Sequence, residues 1–100
     1  MTNKLKYFVG NWKMFGDLGS LKIINQIHSF CARLKRRDIK NKIILCVPST
    51  LIYFFTTKLK SKFISIGAQN CHYHETHGPF TGSVSTSMLK KVGAKYIILG

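Results

Sequence analysis

Only three of the 100 residues carry a carboxylate, Asp17, Asp38 and Glu75, and their spacing does not justify pairing any two for acid–base work. Cysteine is equally scarce. Cys31, Cys46 and Cys71 are odd in number, far apart and without a Cys-x-x-Cys pair. That argues against a disulfide framework and for a reducing compartment, with the cytoplasm as the default. No apolar run approaches the roughly 20 residues of a membrane helix. The longest, Leu51 to Phe55, belongs in a buried helix or strand. Met1-Thr2-Asn3-Lys4-Leu5-Lys6 has no long apolar stretch behind it and no small-residue cleavage site, so no signal peptide is read there. There is no Pro/Gly/Ser linker and no low-complexity tract, which leaves one continuous domain over residues 1–100. A nucleophile elbow, a phosphate-binding glycine loop and a dinucleotide fingerprint are all missing.

What is present is a globular composition, 45% hydrophobic and 12% aromatic, in a chain long enough for one small domain with a core. The net charge is +13. Nucleic-acid binding would use such charge to neutralise phosphates, and a small anionic substrate would be attracted by it. The lysines are scattered, however, and only Arg33-Leu34-Lys35-Arg36-Arg37 forms a block. A block of that kind commonly ends a helix in water.

Four short runs read as strands: Lys6 to Gly10, Lys42 to Val47, Phe63 to Gly67 and Lys95 to Leu99. They are rich in β-branched and aromatic residues, and two are almost continuously apolar, as strands covered on both faces should be. Between the first two, Leu21, Ile24, Ile27, Cys31 and Leu34 recur at three and four residues, which predicts an amphipathic helix from Leu18 onward. Asp17 and Ser20 are candidate N-caps, and Lys35-Arg36-Arg37 suits the negative end of its dipole. A second helix is expected after Pro48-Ser49, running to about Leu59 against the β-branched and aromatic content of that stretch. A third, short one follows Ser85, with Gly93 as its stop. This alternation implies parallel βαβ units. The pattern fits both a small open sheet and an arc of a barrel. The chain ends directly on its last strand, which favours the arc and a truncated domain.

In parallel α/β folds, chemistry sits at the carboxyl ends of the strands. Asn11-Trp12-Lys13-Met14, Val47-Pro48-Ser49-Thr50 and Ala68-Gln69-Asn70-Cys71-His72 fall there. At period two, Asn11 and Lys13 share one face of an extended segment. An amide and an ammonium converging on one spot can hold a carbonyl oxygen beside a phosphate, but an exposed strand end would carry the same residues. Cys71-His72-Tyr73-His74-Glu75-Thr76-His77 offers a thiol and three imidazoles. It lacks the paired spacing of a zinc finger, and a His-rich loop without metal is the plainer reading.

Val9-Gly10-Asn11-Trp12-Lys13-Met14 resembles the start of the triosephosphate isomerase family, whose first strand ends in Asn-Trp-Lys-Met. The likeness continues at Gly67-Ala68-Gln69-Asn70-Cys71, at Gly78-Pro79-Phe80-Thr81-Gly82-Ser83-Val84-Ser85, and at Val92-Gly93-Ala94-Lys95-Tyr96-Ile97-Ile98-Leu99-Gly100. The resemblance implies the N-terminal part of a (β/α)8 TIM barrel of about 250 residues, comprising about four parallel strands and three helices. It implies interconversion of dihydroxyacetone phosphate and D-glyceraldehyde 3-phosphate through an enediolate, in glycolysis and gluconeogenesis, with no cofactor and no metal. Asn11 and Lys13 match substrate and catalytic residues, with Trp12 between them; Lys13 would stabilise the phosphate compound and the developing enediolate. Phe80, Thr81 and Gly82 match the loop that docks a homodimer, Thr81 reaching the partner's active site. The family's Glu base and neutral His electrophile would lie beyond Gly100, the His opening a His-Ser-Glu-Arg-Arg motif, so the 100-residue piece is expected to be inactive and to fold poorly alone. Phe15 stands where a small polar residue is usual, and Ser83 where a Glu is common.

Two other readings remain: a small basic nucleic-acid-binding α/β module acting through Arg33, Lys35, Arg36 and Arg37, and a product without function. The isomerase reading expects a small phosphorylated triose as partner, a homodimer, and neither nucleic acid nor membrane.

Overall fold

The computed structural model describes residues 4–34 and 39–100. Strand β1 spans Lys4–Asn11 and is followed by a 3-10 turn at Leu18–Ser20 and helix α1, Leu21–Arg33. Then come β2 (Ile39–Val47), α2 (Ser49–Lys58), β3 (Ile64–Ala68), α3 (Thr86–Lys91) and β4 (Tyr96–Ile97). All pairings are parallel, and the spatial order is β1-β2-β3-β4. This order is not that of a doubly wound sheet. A doubly wound sheet reverses direction partway. Here each crossover steps the same way, so right-handed connections place every helix on one face, as in a barrel wall.

Register identifies the two faces. Phe8, Ile43, Ile64 and their neighbours two residues on carry the helix side, where Leu45, Val47, Ile64, Ile66 and Ala68 meet Ile24, Leu51, Ile52, Phe55 and Leu89 in one buried cluster. The opposite face carries Tyr7, Val9 and Asn11 from β1, Ile44 and Cys46 from β2, Ser65 and Gly67 from β3, and Tyr96. Gly67 is required there: a Cβ would lie 2.9 Å from the Cys46 sulfur and 3.0 Å from the Tyr96 carbonyl oxygen.

Expectation and structure part at the sheet's first strand. Tyr7, Phe8 and Val9 are each more than half exposed, so the apolar run of β1 is left uncovered on both faces. It is an edge strand, paired only with β2. The radius of gyration, 14.8 Å, exceeds the ~13 Å typical of a 100-residue domain, as an open wall should. β4 is also shorter than its apolar run, although the Ile98 amide still donates to the Ala68 carbonyl at 2.9 Å.

The helices follow their signals closely. Asp17 precedes the 3-10 turn; its amide donates to Ser20 Oγ at 3.0 Å, and the hydroxyl turns back toward the Asp17 carboxylate. Helix α1 ends at Arg33 with Leu34 as its cap. The basic Lys35-Arg36-Arg37 block lies outside the described residues. Helix α2 forms despite weak propensity because Leu51, Ile52 and Phe55 are driven into the core. Gly93 ends the chain's third helical segment with φ +103°, a conformation glycine adopts without penalty. A Cβ there would meet Thr56 at 2.7 Å, and Thr56 Oγ1 donates to the Val92 carbonyl at the same distance.

Two outcomes follow from this packing. Ser85 Oγ accepts the Met88 amide at 3.1 Å as the N-cap of α3. Ser85→Ala should lower the unfolding free energy by about 1 kcal/mol in urea titration. Cys46 is 1% exposed, and burial raises its thiol pKa, leaving less thiolate at neutral pH. Under native conditions Cys46 should therefore react with a thiol reagent more slowly than half-buried Cys71; equal rates would contradict this packing.

Candidate functional site

The carboxyl ends of the strands are aligned. Asn11 is in register with Cys46, Cys46 with Gly67, and Ala68 with Ile97. Trp12 extends the ladder by one bond past β1, its amide donating to the Cys46 carbonyl at 2.9 Å. Its ring then leaves the strand end for the core, edge-on to Phe55 at 5.6 Å and to Phe15 at 5.8 Å between centroids. The unusual Phe15 thus acts as one wall of the indole's seat while itself 56% exposed. Gly16, with φ +112°, closes the turn where a Cβ would lie 3.0 Å from that indole.

With Trp12 anchored, Lys13 is set at a bend. It is not the next residue of an extended segment: its φ is +59°, and it is the one non-glycine residue at positive φ among the described residues. The period-two argument therefore does not describe this pair. What brings Asn11 and Lys13 together is a turn, in which Asn11 Oδ1 accepts the Lys13 amide at 2.8 Å. A left-handed backbone costs an L-residue about 1–2 kcal/mol and persists only where its surroundings hold it.

Those surroundings include a residue to which sequence reasoning gave no role. Gln69, one residue past β3, donates from Nε2 to the Lys13 carbonyl at 2.8 Å and to the Cys46 carbonyl at 3.1 Å, and lies 3.3 Å from Asn11 Oδ1. An amide nitrogen has two protons, so the two shorter contacts take them and the third is shared. Gln69 thereby ties the ends of β1, β2 and β3 together. Its place just past the carboxyl end of β3, two residues beyond the Gly67 that is in line with Asn11 across the sheet, was the available signal; periodicity alone cannot reveal a side chain that spans two strands.

Both Asn11 and Lys13 are exposed, while Gln69 is half-buried. Asn11 Oδ1 is already occupied, so its Nδ2 protons are the ones free for a ligand. The site can therefore present amide N–H groups and one ammonium to an oxygen-rich anion.

Beyond β3 the chain forms a long loop. The His72 amide donates to the Val84 carbonyl at 2.8 Å, which closes it, and the Ser83 amide donates to the Phe80 carbonyl at 3.1 Å, which makes its tip. Thr81 and Gly82 are exposed at that tip, and Gly82 has φ +85°. Phe80 stacks on His72 at 4.2 Å and lies 4.8 Å from His74. Among the described residues, no hydrogen bond joins this tip to Asn11 or Lys13. The imidazoles of His72 and His74 are engaged with aromatic rings and with backbone, His72 Nδ1 accepting the His74 amide at 3.0 Å. No group of three His, Cys, Asp or Glu side chains placed to hold a metal occurs among the described residues. No helix among them is long and apolar enough to cross a membrane.

Comparison with known proteins agrees with this geometry. The family model described as triosephosphate isomerase matches residues 6–100. The triosephosphate isomerase of Bartonella bacilliformis is 38% identical over 101 residues, and that of Trichodesmium erythraeum 35% identical over 91. The first comparison covers all of this chain but 39% of the relative, and the second covers 91% and 36%. The crystal structure of triosephosphate isomerase from Bartonella henselae superposes with a TM-score of 0.80 at 37% identity, over 94% of this chain and 37% of that one. The chain thus spans about two-fifths of the length of the relatives it matches. By these matches over nearly its whole extent, the chain belongs to the triosephosphate isomerase family.

Proposed function

We propose that residues 1–100 are the opening part of a single TIM-barrel domain that isomerises a small phosphorylated triose, interconverting dihydroxyacetone phosphate and D-glyceraldehyde 3-phosphate. The observation that carries this reading is the clamped turn at Asn11 and Lys13, at the carboxyl ends of parallel strands in a chain of this family. Lys13 supplies fixed positive charge where the enediolate develops, and such preorganised charge is worth most when it need not reorganise during reaction. Asn11 offers its Nδ2 protons to a substrate oxygen. Trp12 acts on substrate through the turn it anchors. No residue of the site calls for a cofactor. The open edge of β1 is the seat of a further strand, and Phe80, Thr81 and Gly82 form the tip by which two subunits dock as a homodimer. The His electrophile and Glu base lie outside these 100 residues, and the enzyme works in the cytoplasm.

The test is a chimera in which Gly100 continues into the part of the Bartonella henselae relative that follows the matched stretch. The chimera should isomerise dihydroxyacetone phosphate, and the 100-residue chain alone should not. Turnover by the chain alone, or none by a folded chimera, would overturn the reading.

A further inference from the structure

We propose that Gln69 is a positioning residue for Lys13, holding its left-handed backbone so that the ammonium is presented to an anionic, phosphorylated carbonyl compound. This rests on the function proposed above. The geometry is specific. Both backbone groups of Lys13 are held by side chains from other positions: its N–H by Asn11 Oδ1 at 2.8 Å and its C=O by Gln69 Nε2 at 2.8 Å. The second Gln69 proton goes to the Cys46 carbonyl at 3.1 Å, which also receives the Trp12 amide at 2.9 Å. One amide therefore registers the turn after β1 against β2 from a base on β3. A lysine has no intrinsic preference for φ +59°. Without Gln69, the Lys13 carbonyl has no partner among the described residues, and the turn is free to relax toward right-handed φ. The ammonium would move with it.

Gln69 touches the acceptors through a donor nitrogen, so its carboxylate analogue cannot substitute. In Gln69→Glu, an acceptor would face three oxygens, those of Lys13, Cys46 and Asn11. Gln69→Ala and Gln69→Glu should therefore behave alike, although one deletes the side chain and the other keeps its size.

The test has two arms. In the isotopically labelled chimera, NMR reads the φ of Lys13 from its amide–Hα coupling and its intraresidue amide–Hα cross-peak. Both Gln69 variants should lose the left-handed signature, whereas Ser85→Ala, destabilised at a distance, should keep it. In the chimera, Gln69→Ala should lower kcat/KM about tenfold, and by less than about twofold when Lys13 is already alanine, because a residue acting through Lys13 has nothing left to position. A left-handed Lys13 in Gln69→Ala, or a full tenfold loss that persists without Lys13, would overturn the proposal. An inactive wild-type chimera would sink the isomerase reading and leave the NMR arm to judge Gln69.

Discussion

Phe55→Ala should abolish the cooperative unfolding transition of the 100-residue chain. Phe55 is fully buried in the one core cluster, on the inner side of α2, with Ile24, Ile52, Val47 and Leu89 around it. Truncating a buried phenylalanine costs about 3–5 kcal/mol through lost transfer energy and the cavity left behind. Domains of this size hold only about 5–15 kcal/mol in total. This chain sits at the low end, because Tyr7, Phe8 and Val9 stay more than half exposed and both edges of the sheet, at β1 and β4, are open. The loss is therefore comparable with the whole reserve. Circular dichroism against urea should show a gradual slope in the variant where the parent shows a sigmoid. Trp12 fluorescence should report the same change, since the chain's single tryptophan leans on the Phe55 ring. A variant that keeps the parent's midpoint would mean the cluster is not the core.

The second large effect is on turnover. In the chimera, Lys13→Ala should reduce kcat/KM by roughly 10²–10³-fold, the scale of removing one preorganised charge from a developing oxyanion. Stability should hardly change, because Lys13 is exposed. Alanine, however, inherits the unfavourable φ of +59°, so the charge must be separated from the backbone. Lys13→Gly does this: it relieves the left-handed strain by about 1 kcal/mol and should be as stable as the parent or more so, yet as inactive as the alanine variant. Recovery of activity in Lys13→Gly would show that the backbone, not the ammonium, matters.

Much of the fold was legible because its signals are local. The spacing of Leu21, Ile24, Ile27 and Cys31 gives α1; Ser85 and Gly93 bracket α3; Ile43 to Val47 reads as a buried strand and is one. Less legible was anything set by neighbours far along the chain. The run at Tyr7 to Val9 is apolar yet more than half exposed, because coverage depends on what lies beside a strand, not on its own composition. Helix α2 forms because Phe55 and Ile52 find a core, which overrides the propensity of a stretch rich in Thr and aromatics. At the site, Asn11 and Lys13 were visible as residue types, but their relation was misjudged. An extended segment was the natural reading, whereas the turn is held by Asn11 Oδ1 on the Lys13 amide and by Gln69, 56 residues away, on the Lys13 carbonyl. The His-rich loop shows the reverse: its composition suggests ligands, while stacking of His72 on Phe80 absorbs it into packing. The charge of +13 is spread over exposed lysines such as Lys22, Lys58 and Lys90, and the basic run at residues 35–37 lies outside the described residues.

The most direct measurement is a crystal structure of the chimera equilibrated with dihydroxyacetone phosphate. The account predicts the ligand at the mouth of β1, its oxygens within hydrogen-bond distance of Lys13 Nζ and Asn11 Nδ2, with Gln69 still bonded to the Lys13 carbonyl. Ligand bound elsewhere, or Asn11 and Lys13 turned to opposite sides of the sheet, would contradict it.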